Sequence, residues 1–138
     1  MIKKIDHIGI AVKDLNAQIK YYSEVLGLTC IGIEKIKEQR VKVASFSIGE
    51  TRIELIEPMA EDNPIVRFLE SRGEGIHHIA YQVSDIKSQL QKLERKNIRL
   101  IDKQPRQGAN ENKIAFLHPK STFGVLTELC EQNPEVKK

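Results

Sequence analysis

The amino-acid sequence predicts an α+β fold in which two βαβββ modules form a half-open barrel. The first observation is an internal duplication, because residues 6–14 return as residues 77–85 and residues 54–57 return as residues 128–131. The second is that each copy opens with the alternating apolar pattern of a strand and continues with apolar residues at helical spacing. The third is physical: a four-stranded sheet with one helix cannot bury both of its faces, so two copies are expected to curl together.

The first module, about residues 4–58, is predicted to contain a strand, a helix and three further strands. Alternation over residues 5–12 indicates the first strand. Asp14 stands at the N-cap position of the helix, and Gly27 is expected to end it. The three later strands are predicted over residues 29–37, 41–48 and 52–57.

The second module, about residues 75–132, repeats this order. Its first strand is predicted over residues 76–83, its helix begins after Asp85, and Asn97 is expected to follow the end of the helix. The repeat offset grows from 71 to 74 along the module, which places a net insertion of three residues within residues 104–123. The later strands are predicted over about 98–102, 112–118 and 124–130.

A linker over residues 59–74 joins the two modules. Asn63 and Pro64 are expected to form the N-cap and the first position of a short helix that reaches Arg72. A chain of 138 residues is the length of one domain, so residues 1–138 are expected to fold as a single unit with its own core.

The composition excludes several classes of protein. A hydrophobic content of 40% and a charged content of 30% are typical of a globular protein. No apolar run approaches the ~20 residues needed to span a membrane and no signal peptide opens the chain, so no membrane association is expected. A net charge of +3 is too small to indicate nucleic-acid binding. Cys30 and Cys130 are expected to be reduced thiols of a cytoplasmic protein.

Strand parity selects two candidate histidines. His7 lies on the strand face opposite Ile8 and Ile10 and shares its face with small residues, which leaves room for a ligand. In the second module, His77 has the phase of the face that packs on the helix, whereas His78 has the phase of His7. We therefore predict that His78 is the functional residue and that His77 has a structural or supporting role.

Two glutamates occupy equivalent positions near the ends of the modules. Glu54 is flanked by Ile53 and Leu55, and Glu128 by Thr127 and Leu129. A carboxylate inside such a largely apolar strand is costly unless it is paired or bound to a metal. A lone histidine or glutamate is more often structural or solvent-exposed, but repetition in both modules favours a site. His7, Glu54, His78 and Glu128 together predict one divalent ion. Imidazole with carboxylate suits Zn²⁺, Ni²⁺, Co²⁺, Mn²⁺ or Fe²⁺, and the sequence does not choose among them.

Other polar residues are weaker candidates. His118 has no partner in the first module and precedes a turn, so it is expected to stabilise a loop or contact a substrate. Arg106, Lys113 and Lys120 are candidates to meet an anionic substrate tail, although most surface lysines have no specific role.

Five stretches carry a family resemblance that covers about residues 4–132. The most specific is Phe116–Lys120, with the sequence Phe-Leu-His-Pro-Lys, which precedes Gly124–Leu126. The others are Asp6–Val12, Ile53–Pro58, Asn63–Leu69 and Gly75–Ala80. By these stretches the chain resembles the vicinal oxygen chelate superfamily, which includes glyoxalase I, extradiol dioxygenases and methylmalonyl-CoA epimerases. Within the superfamily it resembles the epimerases most.

The resemblance implies the paired βαβββ fold of that superfamily and a divalent metal bound by His7, Glu54, His78 and Glu128. It implies an acyl-CoA substrate and epimerisation at C2 of methylmalonyl-CoA through a metal-stabilised enolate. From the repeat we expect Glu128 to be the first base and Glu54, its equivalent in the first module, to be the second. The resemblance also implies a homodimer, since members of the family often dimerise. Some epimerases carry Gln in place of Glu54. Some carry an extra acidic residue on the strand that corresponds to residues 41–45, where this chain has none.

Two other functions fit the same fold. A glyoxalase I-like lyase or isomerase acting on a thiol adduct uses the same set of two histidines and two glutamates. A protein that only binds a small molecule is the other, but such proteins often lose a metal ligand, and here all four positions are kept. Glu54 fits the glyoxalase function slightly better than the epimerase function, whereas the stretch Phe116–Lys120 favours the epimerase.

Overall fold

The computed structural model describes residues 2–134, and the chain divides into two compact units. The amino-terminal unit is His7–His77, and the carboxy-terminal unit combines the residues before His7 with those from His78 onward. Each unit contains a βαβββ module, which confirms the α+β class. Within residues 2–134, no helix is both long enough and apolar enough to cross a membrane.

The amino-terminal module follows the predicted order of elements. Its strands pair in the order β2-β3-β4-β1, with β1 parallel to β4 and the other pairs antiparallel. The last turn of its helix is π-helical over Tyr21–Val25, and Gly27 follows with a φ of 74°. The elements are β1 (Ile2–Ala11), α1 (Leu15–Lys20), β2 (Cys30–Ile36), β3 (Val41–Ile48) and β4 (Thr51–Pro58).

One face of this sheet is covered by its helix. Leu15 of α1 packs in a buried apolar cluster with four residues of the strands and their ends, namely Val12, Ala44, Phe46 and Leu55. The ring of Tyr22 lies 5.5 Å from that of Phe46. Burial, and then the neighbouring Tyr21, raise the pKa of the Tyr22 hydroxyl. The opposite face of the sheet is therefore the one available for a site.

The linker contains the helix that the sequence predicts. Helix α2 (Pro64–Arg72) begins after Asn63, whose side-chain oxygen accepts a hydrogen bond from the Ile65 N–H at 2.9 Å. Gly73 follows the helix with a φ of 80°, a backbone conformation that favours glycine.

The carboxy-terminal module repeats the arrangement. Its strands pair in the order β5-β8-β7-β6, and β5 runs parallel to β8 as β1 does to β4. Helix α3 buries Ile86 and Leu90 against the sheet. The elements are β5 (Gly75–Val83), α3 (Ile86–Arg95), β6 (Arg106–Gln107), β7 (Lys113–Leu117) and β8 (Thr127–Glu131).

The prediction of a strand over about residues 98–102 is wrong. This segment makes only an isolated bridge between Leu100 and Leu117, and the strand that follows α3 is the short β6. The reason is that a side chain takes one of the hydrogen bonds of a regular strand pair, because Asp102 Oδ2 accepts the Phe116 N–H at 2.9 Å. The N–H groups of Ile101 and Asp102 both donate to the Phe116 carbonyl. The segment therefore leaves the sheet after one bridge.

The predicted insertion lies in the turn between β7 and β8. Ser45 pairs with Glu54 nine residues later, whereas Phe116 pairs with Glu128 twelve residues later, which accounts for the three extra residues. The longer turn contains a 3₁₀ turn over Pro119–Ser121 and a left-handed Phe123 with a φ of 57°. It overlaps the segment in which the sequence placed the insertion.

Two carboxylates hold the start of the helix in each module. Asp14 Oδ1 accepts the Ala17 N–H at 3.1 Å, and Asp85 Oδ1 accepts the Ser88 N–H at 3.2 Å. A glutamate at the end of the last long strand accepts the first N–H of the same helix, which is the role of Glu57 for α1 and of Glu131 for α3.

We expect Asp85→Ala to lower the free energy of unfolding by about 1 kcal/mol, because an N-cap oxygen is lost from α3. Asp85→Asn keeps an oxygen acceptor at the same place and should remain close to wild type. Urea unfolding followed by circular dichroism measures both changes. Equal stability of the two variants would contradict the capping role.

Candidate metal centre

The amino-terminal unit places His7 and Glu54 side by side on parallel strands. In the register of β1 with β4, Gly9 is paired with Glu54 and leaves its side-chain position empty. His7 Nε2 lies 3.4 Å from Glu54 Oε1, and each residue is 4% exposed. Two groups that are usually solvated are thus buried together.

The carboxy-terminal unit builds the same pair from β5 and β8. Ala80 is paired with Glu128, in the place that Gly9 has opposite Glu54. His78 Nε2 lies 2.9 Å from Glu128 Oε1, and the two residues are 4% and 3% exposed. Each module therefore presents one imidazole nitrogen and one carboxylate oxygen next to each other in a buried position.

These distances fit neighbouring ligands of one metal ion. Bonds from a divalent ion to imidazole nitrogen or carboxylate oxygen are about 2.0–2.2 Å, so adjacent ligand atoms lie roughly 3.0 Å apart in an octahedral sphere and roughly 3.4 Å apart in a tetrahedral one. The two pairs measure 2.9 and 3.4 Å. The donors are nitrogen and oxygen without thiolate, which suits the divalent ions named above.

The two glutamates have different neighbours. Arg52, two residues before Glu54 on β4, places its NH2 atom 2.8 Å from Glu54 Oε2. Glu128 is paired across the strands with Phe116, whose ring meets the His78 ring edge-on with centroids 5.3 Å apart. Arg52 was not among the residues predicted from the sequence. Its spacing could have indicated it, because residues two apart on a strand share a face and Arg52 therefore lies on the face of Glu54.

Arg106 lies beside the carboxy-terminal pair. Its guanidinium carbon is 5.8 Å from the centroid of the Phe116 ring, a cation–π distance. Its Nε is 3.1 Å from Asp102 Oδ1, an ion-pair distance without hydrogen-bond geometry. Of the three cationic residues considered in the sequence, Arg106 thus lies one ring away from His78, whereas Lys113 and Lys120 are exposed.

His77 packs on the linker helix. Its ring lies edge-on to Phe68 of α2 with centroids 5.0 Å apart, and the Arg72 guanidinium carbon is 5.7 Å from the same Phe68 ring. His78, the next residue, contacts Glu128 instead. Adjacent histidines on one strand thus have different partners, in the way that strand parity predicts.

His118 stabilises the turn after β7. Its Nδ1 accepts the Lys120 N–H at 3.1 Å, so it caps the 3₁₀ turn that begins at Pro119. Partial desolvation, and then the positive charges of Arg99 and Lys120, lower the pKa of His118. This arrangement matches the loop role, one of the two that the sequence left open.

Asp6 is a buried carboxylate that the sequence analysis did not select. It is 2% exposed, and its Oδ1 accepts a hydrogen bond from the Gln82 side chain at 3.2 Å.

Comparison with protein families gives one match that spans most of the chain. Residues 6–116 match the model of the glyoxalase/bleomycin resistance protein/dioxygenase superfamily. The matched segment includes His7, Glu54 and His78, and Glu128 lies beyond its end.

Two relatives and one solved structure are similar along nearly the full length. The chain is 48% identical over 130 residues to the uncharacterized Bacillus subtilis protein YqjC, covering 94% of this chain and 93% of the relative. It is 37% identical over 131 residues to the ethylmalonyl-CoA/methylmalonyl-CoA epimerase of Cereibacter sphaeroides, covering 94% and 98%. A solved structure of a variant of Streptomyces coelicolor methylmalonyl-CoA epimerase, in complex with 2-nitronate-propionyl-CoA, is similar at a TM-score of 0.94 and 35% identity, covering 100% and 99% of the two chains.

Proposed function

This chain belongs to the glyoxalase/bleomycin resistance protein/dioxygenase superfamily, and we propose that within it the protein is a metal-dependent epimerase that interconverts the two configurations at C2 of methylmalonyl-CoA. The observation that carries the proposal is the buried His–Glu pair found at the equivalent place in each unit. Homologues named methylmalonyl-CoA epimerase, similar along nearly the whole chain, support an epimerase over the other activities of the superfamily.

We propose that the two modules make up one domain, residues 1–138, and that its two pairs hold a single divalent ion. The residues that would bind it are His7, Glu54, His78 and Glu128, and Co²⁺, Zn²⁺, Ni²⁺ or Mn²⁺ suit this donor set. When bound, the ion supplies a Lewis acid that stabilises the negative charge developing on the substrate oxygens as C2 loses its proton.

Glu128 is the proposed base. The C2 proton of methylmalonyl-CoA is acidic because it lies between a thioester and a carboxylate, and Glu128 would take it as the C–H bond breaks. Its neighbour Phe116 and its own burial exclude bulk water, which strengthens electrostatic interactions in the site. Epimerisation then requires a proton to return to the opposite face of C2. Glu54, the repeat-related glutamate, is the proposed donor. It would start this turnover protonated and end it as a carboxylate, while Glu128 ends it protonated, and the glutamate that carries the proton would have to loosen from the ion.

The partner molecule is an acyl-CoA. Arg106 supports this assignment, because its guanidinium lies on the Phe116 ring beside His78 and offers a positive charge to an anionic substrate. We also propose that the protein is cytoplasmic, which is consistent with the free thiols of Cys30 and Cys130. We further propose that it forms a homodimer. Light scattering on the purified chain tests the dimer.

Solvent exchange tests the activity. Co²⁺-loaded protein in D₂O should incorporate deuterium at C2 of methylmalonyl-CoA, detected by mass spectrometry, and the rate should fall when a chelator removes the metal. The hemithioacetal of methylglyoxal with a thiol should not react. Conversion of the hemithioacetal without exchange at C2 would replace the epimerase with a glyoxalase-like function. Neither reaction in protein shown to bind Co²⁺ would indicate a protein that only binds its ligand.

A further inference from the structure

We infer that Arg52 is a positioning residue for Glu54, which it holds by one carboxylate oxygen so that the other oxygen is the one presented beside His7. The inference rests on the proposed function, since it assigns a role within the same site. Arg52 itself touches neither the ion nor the substrate in this assignment.

The geometry gives the two oxygens of Glu54 different partners. Oε2 accepts from Arg52 at 2.8 Å, and Oε1 lies 3.4 Å from His7 Nε2. The side chains of Arg52 and Glu54 are 17% and 5% exposed. A charge-assisted hydrogen bond at this distance is among the stronger side-chain interactions, and burial limits its replacement by water. Rotation of the carboxylate is therefore restrained, and Oε1 stays directed at the site.

The second module has no arginine at the equivalent position. The position two residues before Glu128 is Leu126, which packs against a buried apolar cluster of Ile114, Phe116 and Cys130. The cross-strand neighbours differ in the same sense, since Glu54 is paired with Ser45 and Glu128 with Phe116. The two glutamates thus differ in their neighbours: Glu54 has an arginine two residues before it and a serine across the strands, whereas Glu128 has a leucine and a phenylalanine at those positions.

Charge alone does not explain a half-buried arginine here. A positive charge close to a divalent ion repels it, so by Coulomb's law the removal of Arg52 should strengthen metal binding. A positioning role predicts the opposite sign, because Glu54 without its anchor loses the orientation that directs Oε1. The direction of the change in affinity therefore separates the two roles.

The experiment measures Co²⁺ affinity of the purified full chain by competition with a chelator. Arg52→Leu, which copies Leu126 of the second module, should weaken binding about 10- to 100-fold, the usual effect of removing a group that supports a metal ligand. Arg52→Lys keeps a donor and should recover part of the loss. Arg67→Leu is the matched control: Arg67 makes a similar pair with Asp62 at 3.4 Å but on the surface, with 64% and 88% exposure, and its loss should leave the affinity unchanged.

A second background isolates the contact. In Glu54→Ala protein, Arg52→Leu should cause no further weakening, because the carboxylate that it positions is gone. Unchanged or tighter Co²⁺ binding by Arg52→Leu would overturn the inference, and so would equal weakening in the Glu54→Ala background. Failure of the wild-type chain to bind Co²⁺ would overturn the proposed function itself, together with this inference. Thermal unfolding of each metal-free variant identifies any variant that fails to fold, in which case Arg52→Lys decides.

Discussion

Glu128→Gln is expected to lower kcat for epimerisation of methylmalonyl-CoA about 10²- to 10⁴-fold, the usual contribution of a positioned general base. The amide has nearly the same shape as the carboxylate but cannot accept the C2 proton. Because Glu128 is 3% exposed and paired with Phe116, water is poorly placed to substitute for it. The measurement is the initial rate of epimerisation at saturating Co²⁺, with metal binding checked separately for each variant.

Two further variants control this result. Glu131→Gln changes a glutamate on the same strand that instead accepts the Ile86 N–H, so kcat should stay within about twofold of wild type while α3 loses some stability. Glu54→Gln should lower the rate as well, by removing the proposed proton donor. Full activity in Glu54→Gln would disprove the two-glutamate mechanism, and full activity in Glu128→Gln would remove Glu128 as the base.

The fold was predictable where short-range patterns decide it. Alternation at period two gave strands β1 and β5, and the caps Asp14 and Asp85 located both helices, because these signals depend only on neighbouring residues. The segment over residues 98–102 has the composition of a strand, yet Asp102 uses its side chain to accept the Phe116 N–H. That contact joins residues 14 positions apart, and no local pattern contains it.

The candidate site was predictable to the extent that it repeats. His7 and Glu54 were selected because His78 and Glu128 stand in the same phase, and the structure brings the members of each pair within 3.4 and 2.9 Å. Arg52 was missed for the converse reason, since it has no counterpart in the second module. Repetition identifies the residues that both copies keep, whereas the residues that make the two copies act differently must come from the structure.

The second large effect is the loss of metal affinity expected when His78 is replaced, and the adjacent His77 provides a comparison one residue away. His78→Asn is expected to weaken Co²⁺ binding by more than about 100-fold, beyond the 10- to 100-fold typical of groups that only support a ligand, and to abolish epimerisation. The reason is that His78 Nε2 lies 2.9 Å from Glu128 Oε1 in a position 4% exposed. Equilibrium competition with a chelator gives the affinity, and the deuterium-exchange assay gives the activity.

His77→Asn is the matched control for that change. It removes the edge-on contact with Phe68 and should cost stability of about 1 kcal/mol, the usual worth of an aromatic pair, with metal affinity and kcat close to wild type. The two substitutions are chemically identical and one residue apart on β5, so general damage to the strand should lower metal affinity and kcat to the same extent in both variants. A larger loss of Co²⁺ affinity in His77→Asn than in His78→Asn would reverse the strand phase on which the whole ligand set depends. Equal losses would mean that neither ring is a specific ligand.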